Sequence, residues 1–351
     1  MRKLATIGVI KEVRPIKRAD RIELVVIKGW KCVVKKGEFQ VGDKCVYFEV
    51  DSFLPIQDRF EFLRASSFKK MLDKEGFRLR TMRMKKQLSQ GLALPMKDFP
   101  ELEEDIKEGE DVTVALDVVV WEAPVPAELN GVAKGDMPVF LRKTGQERVQ
   151  NIFDTVRDKH RNAPCEVSVK IDGTSCTYFV VDTDKYECRV SKQGAEVVDC
   201  QYGGHAGHNW ESVDTDTTPW KIGRPILEAM RAHKRENFAI QGELFGEGIN
   251  GNNEKIRGQK FLAFNVFDID KQEYLPSAER LALCKELGVE HVPVMGGMHS
   301  LSEFETIEDV LKFAEGHSWN PERKREGVVF KSIAASGFHF KVLSNKYLLQ
   351  S

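Results

Sequence analysis

Lys170 closes the run Glu166-Val167-Ser168-Val169-Lys170, which alternates as a strand does and then breaks into Ile171-Asp172-Gly173-Thr174-Ser175. An ammonium inside an apolar, β-branched run is costly to bury without a partner. Such a lysine can snorkel to water from the strand end. It can also be a nucleophile, its free amine attacking a phosphorus or carbonyl centre. Four further segments place a polar residue where a strand pattern calls for an apolar one, or just past the strand's end. They are Arg189-Val190-Ser191-Lys192, Glu243-Leu244-Phe245-Gly246, Glu326-Gly327-Val328-Val329-Phe330-Lys331 and Phe340-Lys341. One buried carboxylate is most often a paired structural group. Two glutamates and three lysines so placed in one region point to a chemical site.

These residues need a scaffold. From residue 165 the pattern is mixed α and β: residues 165–171, 175–181 and 185–192 read as a meander turning at Asp182-Thr183-Asp184. Further strands are expected at 238–245, 261–269, 327–333 and 339–343, with helices at 277–287 and 306–315. Thr306 and Asp309 form a loose capping box for the second helix. Residues 1–120 differ, being short strands (5–13, 23–27, 31–34, 44–49, 78–82, 91–95) parted by turn residues. Five or six short strands in that length suggest a small OB-like barrel. Residues 122–138 are rich in Pro, Gly and Ala and read as a linker, so the expected domains are 1–125 and 126–351.

Composition sets outer bounds. At 351 residues, 41% hydrophobic and 30% charged, the chain reads as two globular domains with a core each. A net charge of −1 means that any nucleic-acid contact must come from local patches. One patch is Lys69, Lys70, Arg78, Arg80, Arg83, Lys85 and Lys86, interleaved with Phe68 and Phe77, the composition of a nucleic-acid groove or of a solvated charged face. The seven scattered cysteines lack a CxxC pair, which predicts reduced thiols inside the cell. Cys188, Cys200, His205 and His208 have a spacing that fits no common zinc site. No membrane span and no signal peptide are expected.

The ordered set Lys-x-Asp-Gly, Gly-Glu-x-x-Gly, Phe-Asp, Glu-Gly-Val-Val and a final lysine resembles the covalent nucleotidyltransferase superfamily across residues 142–351. Lys170-Ile171-Asp172-Gly173-Thr174-Ser175, Gly242-Glu243-Leu244-Phe245-Gly246 and Gly248-Ile249-Asn250-Gly251-Asn252 are similar to ATP-dependent RNA ligases. About ten residues follow Lys341, too few for a C-terminal OB domain, while Pro15 to Leu24 resembles the start of tRNA-binding OB modules. The small group of RNA ligases with an N-terminal OB module fits that order.

The resemblance implies an α+β chain: an N-terminal OB-like β-barrel, then an adenylation domain of antiparallel sheets with flanking helices. It implies that Lys170 attacks the α-phosphorus of ATP, with Asp172 and Lys341 in the catalytic set and Lys341 on the α-phosphate. Glu243 and Glu326 would hold Mg2+ or Mn2+, largely through waters. Phe267 would stack on adenine, Arg189 would meet the ribose or the adenylate, and Ser168, Glu243 and Lys331 would border the nucleotide. Arg148 and Asn151 would face the phosphates. Lys341 and the metal would favour the neutral Lys170 amine. The partner implied is RNA, as a nicked duplex or broken ends, with no obligate protein partner. A DNA ligase, a GTP-dependent capping-type enzyme or a non-catalytic RNA-binding adaptor are the alternatives.

Overall fold

The computed structural model describes residues 2–350 except 72, 104, 123–132, 183–184, 187, 190–196, 199–201, 207–209, 213–216 and 334–337. The chain divides into two compact units, Met1–Pro126 with Leu348–Ser351, and Ala127–Tyr347. The last four residues thus group with the first unit, not with the second as the expected domain limits had it.

In the first unit, strands Ala5–Val9, Lys44–Phe48 and Leu92–Pro95 form one antiparallel sheet. Glu12–Pro15, Ile22–Ile27 and Trp30–Lys35 form a second. A third contains Val119–Val120, Ser52–Pro55, Lys74–Arg78 and Phe68–Met71. The strand expected at 78–82 does not form as one piece. Arg78 ends one strand, and a separate hairpin, Met82–Met84 with Gln87–Ser89, follows. Phe77 is fully buried beside Phe48 and Phe60, so it builds the core and cannot interleave with surface lysines.

Among the described residues, the second unit holds two large sheets and one two-stranded pair. The larger runs, in spatial order, Ala133–Asp136, Trp210–Ser212, Tyr202–Ala206, Thr174–Val180, Phe238–Gly246, Gln259–Asp268, Glu273–Tyr274. The smaller runs Glu147–Arg148, His339–Leu343, Gly327–Ser332, Cys165–Lys170. Thr174–Val180 pairs with Phe238–Gly246 and Tyr202–Ala206. The meander expected over 165–192 does not form, since Cys165–Lys170 and Thr174–Val180 lie in different sheets; of its third strand the described part is Cys188–Arg189, paired with Val197–Val198.

Apolar faces hold the helices in place. Trp220, Leu227 and Met230 of helix Thr218–Ala232 pack with Tyr178 and Phe238 on one face of the larger sheet. Val149, Phe153 and Val156 of helix Val149–His160 pack on Val328, Phe330 and Phe340 of the smaller one. Helices Ser277–Glu286 and Ile307–Phe313 lie within the expected ranges, the latter with the Thr306/Asp309 capping box formed. A third cluster, Val169, Ile171, Phe245, Leu262 and Val292, draws on strands of both sheets and underlies the ends from which the charged residues emerge. No helix among the described residues is long and apolar enough to cross a membrane.

Candidate active site

Strand pairing brings the lysine and the two glutamates together. In the smaller sheet Lys170 lies opposite Gly327, so Glu326, one residue earlier, sits at its side. In the larger sheet Ser175 lies opposite Glu243, which places that carboxylate beside the turn after Lys170. Both glycines of this corner are dictated by packing: a Cβ on Gly173 would fall 2.4 Å from the Leu244 carbonyl, and one on Gly327 would fall 2.0 Å from that of Val342. Val329 opposes Lys341, and Lys331 opposes His339, so two more cations project from the same strand pair.

These groups line a cavity of about 530 Å³. Of the expected site residues, Ser168, Lys170, Asp172, Glu243, Glu326, Lys331 and Lys341 line it. Lys170 Nζ donates to Glu326 Oε2 at 2.5 Å. Asp172 accepts hydrogen bonds from the Tyr347 hydroxyl and, at 3.5 Å, from Asn250 Nδ2, which also donates to the Gly173 carbonyl at 2.5 Å. Lys331 Nζ donates to the Phe264 carbonyl and to Asn265 Oδ1, at 2.5 and 2.7 Å. Behind it, Glu166 is buried and accepts from Arg280 and Ser277.

The electrostatics of the corner are those of too many carboxylates around one ammonium. Burial pushes the Glu243 carboxyl up to about 7, and although Lys170 opposes the rise, Glu326 and Asp172 add to it. Burial also presses the Lys170 ammonium downward, but Glu326, Glu243 and Asp172 outweigh it and hold the lysine above its ordinary range. The groups that raise Lys170 are anions, whereas the lowering expected from the sequence involves a metal ion together with Lys341. The lowered lysine is Lys331, pushed to about 7 by burial and then by Arg280.

Three expectations are displaced. Phe267 does not reach the cavity: it is fully buried among Phe140, Phe179 and Ala239, with the Arg142 guanidinium 5.6 Å from its ring. Phe267 pairs with Ala239, four residues from Glu243 along its strand, and a bulge brings a different aromatic to the cavity. Gln241 pairs with Asn265 but Gly242 with Ala263, which leaves Phe264 as the extra residue, and Phe264 is the aromatic lining the cavity. Arg148 and Asn151 are not in the lining either; Asn151 Nδ2 and the Arg148 backbone N–H both donate to Glu147 Oε1. Just upstream, Lys143, Thr144, Gly145 and Gln146 take that place. For Arg189 only the backbone strand is described; its side chain lies outside the described residues, as do the side chains of Cys188, Cys200, His205 and His208. The apolar wall of Phe264, Val292 and Val329 went unread, although Phe264 and Val329 stand inside the motifs that drew attention to the region.

The comparisons with known proteins agree with this geometry. An OB-fold domain family matches residues 4–96, and the RNA ligase family matches residues 163–347. The chain belongs to the RNA ligase family and is an enzyme of that class. Its likeness to solved structures runs through both units. It is similar to a variant of Naegleria gruberi RNA ligase with ATP and manganese, at 39% identity and a TM-score of 0.79, covering 99% of each chain. It is likewise similar to that enzyme with pyrophosphate (40%, TM-score 0.78, 100% of this chain and 99% of the other). A variant with AMP and manganese matches at 39% and 0.78, with the same coverage. No curated protein matches the chain.

Proposed function

We propose that this chain is an ATP-dependent RNA ligase that works through a lysyl-AMP intermediate on Lys170. The observation that carries the reading is Lys170 at the rim of a cavity large enough for a nucleotide, with Glu243, Glu326, Lys331 and Lys341 on its walls. Lys170 Nζ bonds to the α-phosphorus of ATP, the bond to the β-phosphate oxygen breaks, and pyrophosphate leaves. AMP then passes to the 5′-phosphate of the RNA, and a 3′-hydroxyl displaces it to seal the strand.

Each residue has a task in this scheme. Glu326 Oε2, hydrogen-bonded to the ammonium, is the nearest acceptor for the proton that Lys170 must lose. Lys341 stabilises charge building on the phosphoryl oxygens. Phe264, Val292 and Val329 offer apolar surface to the purine.

A divalent cation fits here, since Glu243, Glu326 and Asp172 crowd one ammonium and Glu243 is under-compensated. Among the described residues no group of three acidic, histidine or cysteine side chains could hold a metal directly. Glu243 and Glu326 would therefore hold it through waters, as Mg2+ prefers. Such an ion supplies positive charge to the phosphate oxygens. The relatives that bind ATP, AMP and manganese support both cofactors.

The test is labelling with α-labelled ATP and magnesium, followed by denaturing electrophoresis, with GTP in parallel. Wild-type protein should take up label from ATP and Lys170→Ala should not. A covalent adenylate on Lys170→Ala would overturn the reading, while label from GTP alone would favour a capping-type enzyme. Sealing of nicked RNA beside nicked DNA then identifies the polynucleotide.

A further inference from the structure

The first unit carries a feature that neither the fold nor the adenylation site requires. The 22 residues 76–97 contain six basic residues (Arg78, Arg80, Arg83, Lys85, Lys86, Lys97) and no acidic one, in a chain whose overall balance is −1. Within them, Met82–Met84 and Gln87–Ser89 pair in register as an isolated two-stranded hairpin. Its two-residue turn is Lys85-Lys86, with φ of +49° and +65°. Positive φ at both central positions is the geometry of a type I′ turn, which strongly prefers Asn-Gly. In the left-handed region a lysine pays a steric cost that glycine avoids. Two adjacent lysines held there are a local conflict, the kind that function tends to preserve.

The surroundings say what such a tip meets. Arg80, Arg83, Lys85 and Lys86 are exposed, and among the described residues no ion pair joins Arg80, Lys85 or Lys86 to a carboxylate. Lys70, by contrast, is already paired with Glu75 at 2.7 Å. On the other strand, Leu88 and Ser89 are buried, and Ser89 Oγ accepts from the Val33 N–H at 3.1 Å, so the base of the hairpin is anchored while its tip is free.

We propose that hairpin 82–89 is a phosphate-gripping finger, whose Lys85-Lys86 tip and flanking Arg80 and Arg83 bind the RNA backbone. The proposal rests on the reading of the chain as an RNA ligase and adds to it the surface that holds the substrate. Without base-reading side chains at the tip, the grip should be sequence-independent and strongly salt-dependent.

The test is equilibrium binding of full-length protein to a nicked RNA duplex with a 5′-hydroxyl at the nick, which cannot be sealed, over a range of salt concentrations. Lys85→Asn with Lys86→Gly supplies the preferred turn and removes both charges. It should raise the melting temperature by a few degrees and weaken RNA binding on the order of ten-fold near 0.1 M salt. The slope of log K against log salt should become shallower by about 1 to 2. Lys85→Gln with Lys86→Gln should weaken binding similarly, and Lys85→Arg with Lys86→Arg should preserve it. Unchanged affinity and slope in the uncharged variants, or equal loss in the arginine variant, overturns the finger. Either failure leaves ATP labelling of Lys170 intact, so the two readings fail separately.

Discussion

In the proposed reaction Lys170 has to be two things in turn. As the resting residue it is an ammonium, clamped 2.5 Å from Glu326 and held above its ordinary range by three carboxylates. As a nucleophile it must be a free amine. Below its pKa the neutral fraction grows about ten-fold per pH unit. Adenylylation measured in single turnover should therefore climb from pH 6 to 9, with a log–log slope approaching one. Glu243, whose carboxyl is pushed up to about 7, gains its charge in the same interval. Glu326→Gln removes the largest charge holding the proton on Lys170. Its profile should rise at lower pH than the wild type, even as the maximal rate drops by about ten-fold or more if Glu326 takes the proton and helps to hold the metal as proposed. An identical profile shape in the variant would mean that Glu326 does not govern the lysine's protonation.

At the scale of elements, the loop after Phe238–Gly246 ties the site together. Asn250 bonds the Gly173 carbonyl and Asp172 at one end. At the other, buried Glu254 accepts from Ser318 and from the Asn320 backbone N–H, and Arg323 Nε bonds the Asn253 carbonyl at 2.7 Å. This loop therefore couples the lysine turn to the segment that leads into Glu326. Asn250→Asp keeps the shape but cannot donate, and it sets a second carboxylate against Asp172. It should slow adenylylation about three- to ten-fold at saturating ATP, the worth of one hydrogen bond, with little change in the KM for ATP. A full rate would show that the loop does not position the turn.

What could be read beforehand divides along physical lines. The Lys170, Glu243, Glu326 and Lys341 corner was legible because charged residues break the apolar alternation of strands at those points. The aromatic wall was misassigned to Phe267, whereas a bulge brings Phe264 to the cavity, and no periodicity announces where an extra residue will be inserted. Helix Thr218–Ala232 escaped notice with Pro225 inside its span, a residue that ordinarily marks a helix as ended. The sign of the shift on Lys170 depends on which charges stand nearest in space, and sequence order does not carry that.

Across the whole molecule, each unit has cores of its own. Phe48, Phe60, Phe77 and Phe99 fill one in the first unit, and Tyr178, Phe238, Phe330 and Phe340 belong to two in the second. Among the described residues, those that line the cavity around Lys170 all belong to the second unit, from Met137 to Lys341. A chain lacking residues 1–125 should accordingly fold, melt cooperatively and keep the cavity. With the basic hairpin gone, its sealing of nicked RNA should fall by an order of magnitude or more at physiological salt, and far less at low salt, where weakened contacts are least felt. Melting followed by circular dichroism, beside nick-sealing rates at two salt concentrations, measures both. Sealing by a folded, truncated chain at the full-length rate would remove the first unit from substrate binding.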